Sequence, residues 1–250
     1  MNNQHDFRNR VLAGTSVSED FGSAPVVAHI SPALRAAFLR KVYLTLTGGV
    51  AVAMAVGMFL ALSALQDPAH FLWKMVQGNG RWMLLLGYLA LSFMVSSVVR
   101  IKGVNILAFL AFTAFTGFFI SPLLAVSAVI TQSLNVIWQA LGLTVFAFGG
   151  LTGYVLISGK DFSFMKGFVW TGFWILLGFM VMGIWINSWA YHMAITAVGL
   201  LVFVGFVLYD TSNIMHRMMP NEWVAGAFSL FIDFINMFIR VLILLTGRRD

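Results

Sequence analysis

Seven apolar runs of 18 to 24 residues follow one another along this chain: Val42–Leu65, Trp82–Val99, Val104–Ser121, Leu134–Ile157, Phe164–Asn187, Tyr191–Tyr209 and Ala225–Gly247. A helix needs about 20 apolar residues to cross the hydrocarbon core of a bilayer. Strands of a membrane barrel would be about ten residues long and alternate in polarity, and none of these runs alternates. The expected class is therefore an all-α integral membrane protein with seven transmembrane helices. Composition agrees: 60% of the 250 residues are hydrophobic and 10% are charged, against roughly 45–50% and 25% in soluble domains. A soluble enzyme and a disordered chain are both excluded. The absence of cysteine removes thiol nucleophiles, iron–sulfur clusters, Cys-ligated zinc and any disulfide framework.

The first residues read differently. Met1–Ala33 is polar, carries Pro25 and Pro32, and has no apolar stretch of the kind a secretory signal needs. Residues 1–33 are expected to form a mobile tail, and 34–250 the membrane domain. Ala33–Lys41 reads either as a short interfacial helix or as a charged flank of the first span.

The net charge of +6 is spread between the apolar runs rather than gathered on one polar face, which argues for topology and against nucleic-acid binding. Arg8, Arg10, Arg35, Arg40, Lys41, Arg100, Lys102, Lys160, Lys166 and Arg217 fall on the N-terminal side of the membrane. Lys74, Arg81, Arg248 and Arg249 fall on the other. Cytoplasmic loops carry the excess of Lys and Arg, so the N-terminus is expected in the cytoplasm. The basic C-terminus opposes seven full crossings, and a last segment that does not fully cross is the competing topology. Gly149, Gly150 and Gly153 form a small-residue patch whose ordinary reading is close helix packing.

An ionisable side chain at the bilayer centre costs roughly 2.5–3.5 kcal/mol on insertion scales and usually faces a bundle interior. Asp233 lies eight residues, or roughly 12 Å, into the last run. Asp210 closes the sixth. The midpoint between them falls just after Pro220, the clearest helix breaker between the two runs. If the sixth helix continues to about Met218, the last two helices form an antiparallel hairpin with Asp210 and Asp233 side by side. Two carboxylates sharing one site cannot both ionise cheaply, so they titrate as a unit. Such a pair suits a proton sensor or a hard-cation site. The competing reading has Asp210 capping a helix end near water and Asp233 hydrogen-bonding within the bundle.

Ser229, Asp233, Asn236 and Arg240 recur at i, i+4, i+7 and i+11, on one face of the last helix. This polar stripe would line any path through the bundle, unless Arg240 instead snorkels to the far interface. Arg100, at the end of the second run, is the nearest cation for a cytoplasmic-side carboxylate, or else a plain positive-inside flank. His216 is a candidate modulator that titrates near neutral pH, or an ordinary loop histidine. Catalysis is not supported. A G-x-G-D motif, a Gly-flanked serine with a helix-borne histidine, and a central lysine in the last span are all missing, and the five His are scattered. No complete EF-hand or other high-affinity calcium loop is present, and no cofactor is expected.

Leu208-Tyr-Asp-Thr-Ser-Asn-Ile-Met-His-Arg and Ser229-Leu-Phe-Ile-Asp-Phe-Ile-Asn-Met-Phe resemble the C-terminal signature of the Bax inhibitor-1/YccA family. Ser158-Gly-Lys-Asp-Phe-Ser and Gly117-Phe-Phe-Ile-Ser-Pro-Leu are similar to two further elements of that family. The resemblance covers about Leu34 to Arg249. It implies six helices enclosing a central C-terminal helix, and a pH-sensitive calcium leak gated by a di-aspartyl sensor matching Asp210 and Asp233, with Arg100 an approximate match to a latch arginine. It also implies an alternative, association with the membrane protease FtsH, through a tail that could dock it; a proton-coupled transporter of a small substrate is a third reading. A bacterial inner membrane is the expected location, with lipid, calcium ions and protons as partners.

Overall fold

The computed structural model describes residues 26–76, 80–183, 185–186 and 188–247. The expected mobile tail up to residue 25, with Arg8 and Arg10, lies outside the described residues. So do Asn187, Arg248 and Arg249, and the side chain of Arg81. The described chain is helical throughout. α1 spans Pro32–Gln66, α2 Phe71–Val76, α3 Gly80–Val98, α4 Asn105–Thr131, α5 Asn135–Ser158, α6 Met165–Met182, α7 Trp189–His216 and α8 Trp223–Thr246. Over the described residues, six of these, all but α2 and α3, are long and apolar enough to cross a membrane. The protein is an all-α integral membrane protein. α3 has 19 residues, and its described stretch Gly87–Val98 is apolar.

The first helix begins where its sequence dictates. Ser31 accepts a hydrogen bond from the Leu34 N–H at 3.4 Å, and Pro32 occupies the first turn, where its missing N–H costs nothing. With no breaker before the membrane, Ala33–Lys41 and the first apolar run form one continuous helix of 35 residues. The packed chain starts earlier still. Val27 sits in a short 3₁₀ turn, is fully buried, and donates its N–H to the Met218 carbonyl at 2.8 Å.

α4 runs ten residues past the expected Ser121, straight through Pro122. Proline normally breaks a helix by removing the bond to the carbonyl four residues back, here that of Phe118. The Ser121 hydroxyl donates to that same carbonyl at 2.8 Å. A neighbouring hydroxyl thus replaces the lost donor, which keeps proline tolerable inside a membrane helix.

α8 is the centre of the bundle. Just over half of its span (56%) is buried inside the protein, against 11% for α6, and it packs against α1, α4, α5 and α7. α3 packs on α4, and α6 on α7, so the enclosure has four direct neighbours and two outer helices. Phe112 meets Phe228 at 5.0 Å between ring centroids, and Phe109 meets Phe231 edge-on at 5.7 Å.

The small residues that permit close packing are not the expected ones. A Cβ on Gly117 would collide with the Ala53 carbonyl, and one on Gly57 would lie 3.1 Å from the Gly117 carbonyl; these glycines bring α1 and α4 together. At Gly149, Gly150 and Gly153 a Cβ would meet nothing within 4 Å. The packing role read for that patch is therefore corrected: its face of α5 is open.

Candidate functional site

α7 continues to His216, and α8 starts at Trp223 after a turn over residues 217–222 that contains Pro220. The two helices form the antiparallel hairpin that the breaker predicts. Asp210 lies six residues before the end of α7 and Asp233 ten residues after the start of α8. They are therefore about 9 Å and 15 Å from the turn. Their carboxyl groups lie close enough to interact with each other. Asp210 is half-buried, whereas Asp233 is 3% exposed and its Oδ2 has no hydrogen-bond partner. Ionised carboxyl oxygens only accept, so a hydrogen bond between the two groups would need a proton carried by one of them.

As a metal site it offers little. Calcium takes six to eight oxygen ligands, and among the described residues no cluster of three or more His, Asp or Glu is assembled.

The polar stripe of α8 is real as a face but divided in its contacts. Ser229 and Asn236 are half-buried, and the Asn236 amide donates to the Ile232 carbonyl of its own helix at 2.8 Å. Arg240 is 8% exposed. Its guanidinium crosses α7 at Gly199, where a Cβ would fall 3.0 Å from Nε, and its Nη2 reaches Met180 Sδ at 3.3 Å. Met180 is two residues from the end of α6, so the side chain extends under α7 toward α6. Nε has no partner.

Arg100 is not brought to the aspartates. From the loop between α3 and α4 it faces Glu222, Nη1 to Oε1 3.9 Å. Glu222 Oε2 also accepts from the Met219 N–H at 2.9 Å, so the pair bears on the α7–α8 turn.

His216 likewise belongs elsewhere, to a network that residue-by-residue reading did not assemble. Its Nδ1 lies 2.9 Å from the Ser212 carbonyl. The Ser212 hydroxyl accepts from the Phe162 N–H at 2.8 Å and donates to Asp161 Oδ1 at 3.2 Å. Asp161 Oδ2 pairs with Arg217 Nη2 at 3.4 Å. The Ser163 N–H, with Arg217 and the Ser212 hydroxyl nearby, holds the Asp161 carboxyl below its ordinary range. The available signal was the Ser158-Gly-Lys-Asp-Phe-Ser segment, which places Asp161 in the loop that docks on α7.

Comparison with known proteins adds a family. The model of the family described as "Inhibitor of apoptosis-promoting Bax1" matches residues 35–250. Mouse "Protein lifeguard 4" is 33% identical over 230 residues, 91% of this chain and 92% of the mouse protein. The "Golgi anti-apoptotic protein" of vaccinia virus (strain Lister) is 31% identical over 93% of this chain and 94% of its own length. "Modulator of FtsH protease YccA" of Escherichia coli (strain K12) is 32% identical over 74% of this chain and 83% of its own length.

Proposed function

We propose that this chain, which belongs to the Bax inhibitor-1 family, is a pH-sensitive cation leak, calcium being the ion, gated by the Asp210–Asp233 pair. The observation that carries the reading is the close approach of these two carboxyl groups on α7 and α8, with Asp233 buried. One shared proton clips the two helices together. Its loss places two like charges in contact in a low-dielectric interior, and the clip opens. α8 is the helix with the most to transmit, because α1, α4, α5 and α7 all rest on it. Asp233, Asn236 and Ser229 then line the path, and Arg100 with Glu222 steadies the turn from outside. The arrangement has seven crossings in a bacterial inner membrane with a cytoplasmic N-terminus, supported by the distribution of Lys and Arg.

The experiment is calcium influx into liposomes holding the purified protein and a trapped dye, followed across pH. Asp210→Asn and Asp233→Asn each change the flux and abolish its pH response. Unchanged flux and pH response in both variants would remove the pair from the account.

A second reading is favoured by the relative named as a modulator of FtsH protease: a non-conducting partner of such a protease, with the N-terminal tail as docking segment. Deletion of residues 1–25 then abolishes the effect on the protease in cells and leaves liposome flux intact. Substrate-stimulated proton movement would instead mark a proton-coupled transporter.

A further inference from the structure

α1 and α5 each pack against α8, and the space left between them is a cavity of about 470 Å³. That size lies within the roughly 300–1,000 Å³ of small-molecule sites. Its walls are apolar, among them Leu46 and Val50 of α1 and Val145, Phe148 and Leu156 of α5, and Phe234 of α8 forms part of its floor. It opens sideways. Thr47, Val145 and Gly149 on its rim are exposed, and the missing side chains of Gly149 and Gly153 leave open space rather than a packed interface. Both helices cross the membrane, so the medium at this opening is hydrocarbon.

The cavity has one polar patch. Tyr43 and Thr152 both line it, and the Tyr43 hydroxyl lies among those of Thr152 and Thr211. Thr152 is 5% exposed and Thr211 1%, yet the hydroxyls of all three residues lack a hydrogen-bond partner. Buried hydroxyls are costly when unpaired, so this patch asks for an external oxygen. Beyond it, toward the same end of the bundle, stands a cation. Arg40 lies on the same face of α1 as Tyr43, Thr47 and Val50, at i, i+3, i+7 and i+10, and is exposed. Lys160, after the end of α5, turns away from the groove: its Nζ lies 6.0 Å from the Tyr154 ring centroid, on the face of α5 opposite Thr152 and Leu156.

The order along the groove is therefore apolar chamber, unpaired hydroxyls, then positive charge. The geometry points to a binding site for an anionic glycerophospholipid: one acyl chain in the chamber, an ester oxygen on Tyr43 and Thr152, and the phosphate facing Arg40. A free acyl chain would leave Arg40 unused, and a soluble anion has no route through hydrocarbon. The proposal does not depend on ion conduction, although Phe234 and Thr211 adjoin Asp233 and Asp210 in sequence.

The test is photolabelling of the full chain reconstituted in mixed phosphatidylglycerol and phosphatidylcholine vesicles. These are doped with phosphatidylglycerol, or in parallel phosphatidylcholine, bearing a diazirine on one acyl chain. The expected label sits on Tyr43–Val50 and Val145–Leu156, with phosphatidylglycerol preferred. Gly149→Leu and Gly153→Leu place side chains in the groove from positions where a Cβ meets nothing within 4 Å. Displacing two or more methylenes lowers labelling about tenfold. Gly142→Leu, on the same helix, exposed and outside the cavity, leaves it unchanged. Tyr43→Phe with Thr152→Val weakens labelling by either lipid, and Arg40→Gln removes the preference between them. Labelling spread evenly over the lipid-facing helices, or unaffected by filling the groove, would overturn the site. Groove labelling with no preference for the anionic lipid would overturn the head-group assignment. Melting temperatures matched to the parent protein separate these outcomes from misfolding.

Discussion

Arg100 and Glu222 meet across 3.9 Å, joining the loop after α3 to the first residue ahead of α8. The arginine side chain is 66% exposed and the glutamate 24%. Glu222 has a second task, accepting the Met219 N–H at 2.9 Å. The turn that positions the aspartates is thus held by one carboxylate, with the arginine resting on it.

The two partners should therefore differ when removed. Exposed ion pairs contribute about 0–1 kcal/mol, so Arg100→Gln changes the melting temperature little, and less still in high salt. Glu222→Ala also strands the Met219 N–H and costs about 1 kcal/mol more. Thermal unfolding of both variants at low and high salt checks this; equal effects would mean that Glu222 acts only through Arg100.

The hydroxyl of Ser121 and the ring of Pro122 make a linked pair. Ser121→Ala leaves the Phe118 carbonyl without a donor at a site that is buried, and costs about 1–2 kcal/mol. In Ser121→Ala/Pro122→Ala the restored backbone N–H takes over that carbonyl, so the double variant is more stable than Ser121→Ala alone. Unfolding curves for the two variants measure the coupling directly.

Glycines at similar spacing should respond with opposite signs. Gly117→Ala drives a methyl into the Ala53 carbonyl and lowers stability by about 1–3 kcal/mol, as overpacking does. Gly150→Ala meets nothing within 4 Å and raises it by about 0.5–1 kcal/mol through helix propensity. A drop for both would mean that α5 packs against an element at this face.

This contrast shows what was legible in the chain. The spans could be read because hydrophobic length is a one-dimensional property. The hairpin could be read because Pro220 sits midway between two carboxylates that each need a reason to be in a membrane. Which glycine touches a neighbour is a property of helix rotation. Spacing does not encode it, so the 149–153 patch was read as packing while Gly57 and Gly117 do that work. Pro122 and the partner of Arg100 were hidden for a related reason: both depend on one side chain reaching one particular acceptor. The Asp161 network joins residues about fifty positions apart, which no local pattern reveals.

Asp161 should impose a pH dependence of its own. Its folded carboxyl titrates below the ordinary range. Its contribution is therefore fully present above the unfolded value of about 3.9 and fades as the pH falls through the lower folded value. Asp161→Asn should melt below the parent protein at pH 6, with the two curves converging as the pH drops under about 4. A gap that persists at low pH would assign the loss to the hydrogen-bond geometry with Ser163 and Ser212 rather than to the charge.

The clip itself can be tested by the difference between asparagine and alanine. An asparagine at 210 or 233 keeps a bond to the remaining aspartate, because an amide N–H donates to a carboxylate without any shared proton. The link between α7 and α8 then persists at every pH, and flux stays low and flat. Alanine at either position removes the bond, so flux is high and equally flat. The parent protein alone moves between the two levels as the pH changes. Calcium entry into liposomes holding parent, Asp233→Asn and Asp233→Ala, each read across pH ~5–8, where a coupled carboxylate pair titrates, separates the cases. Asn and Ala variants with the same flux would show that the negative charge, and not the hydrogen bond between the helices, sets the gate.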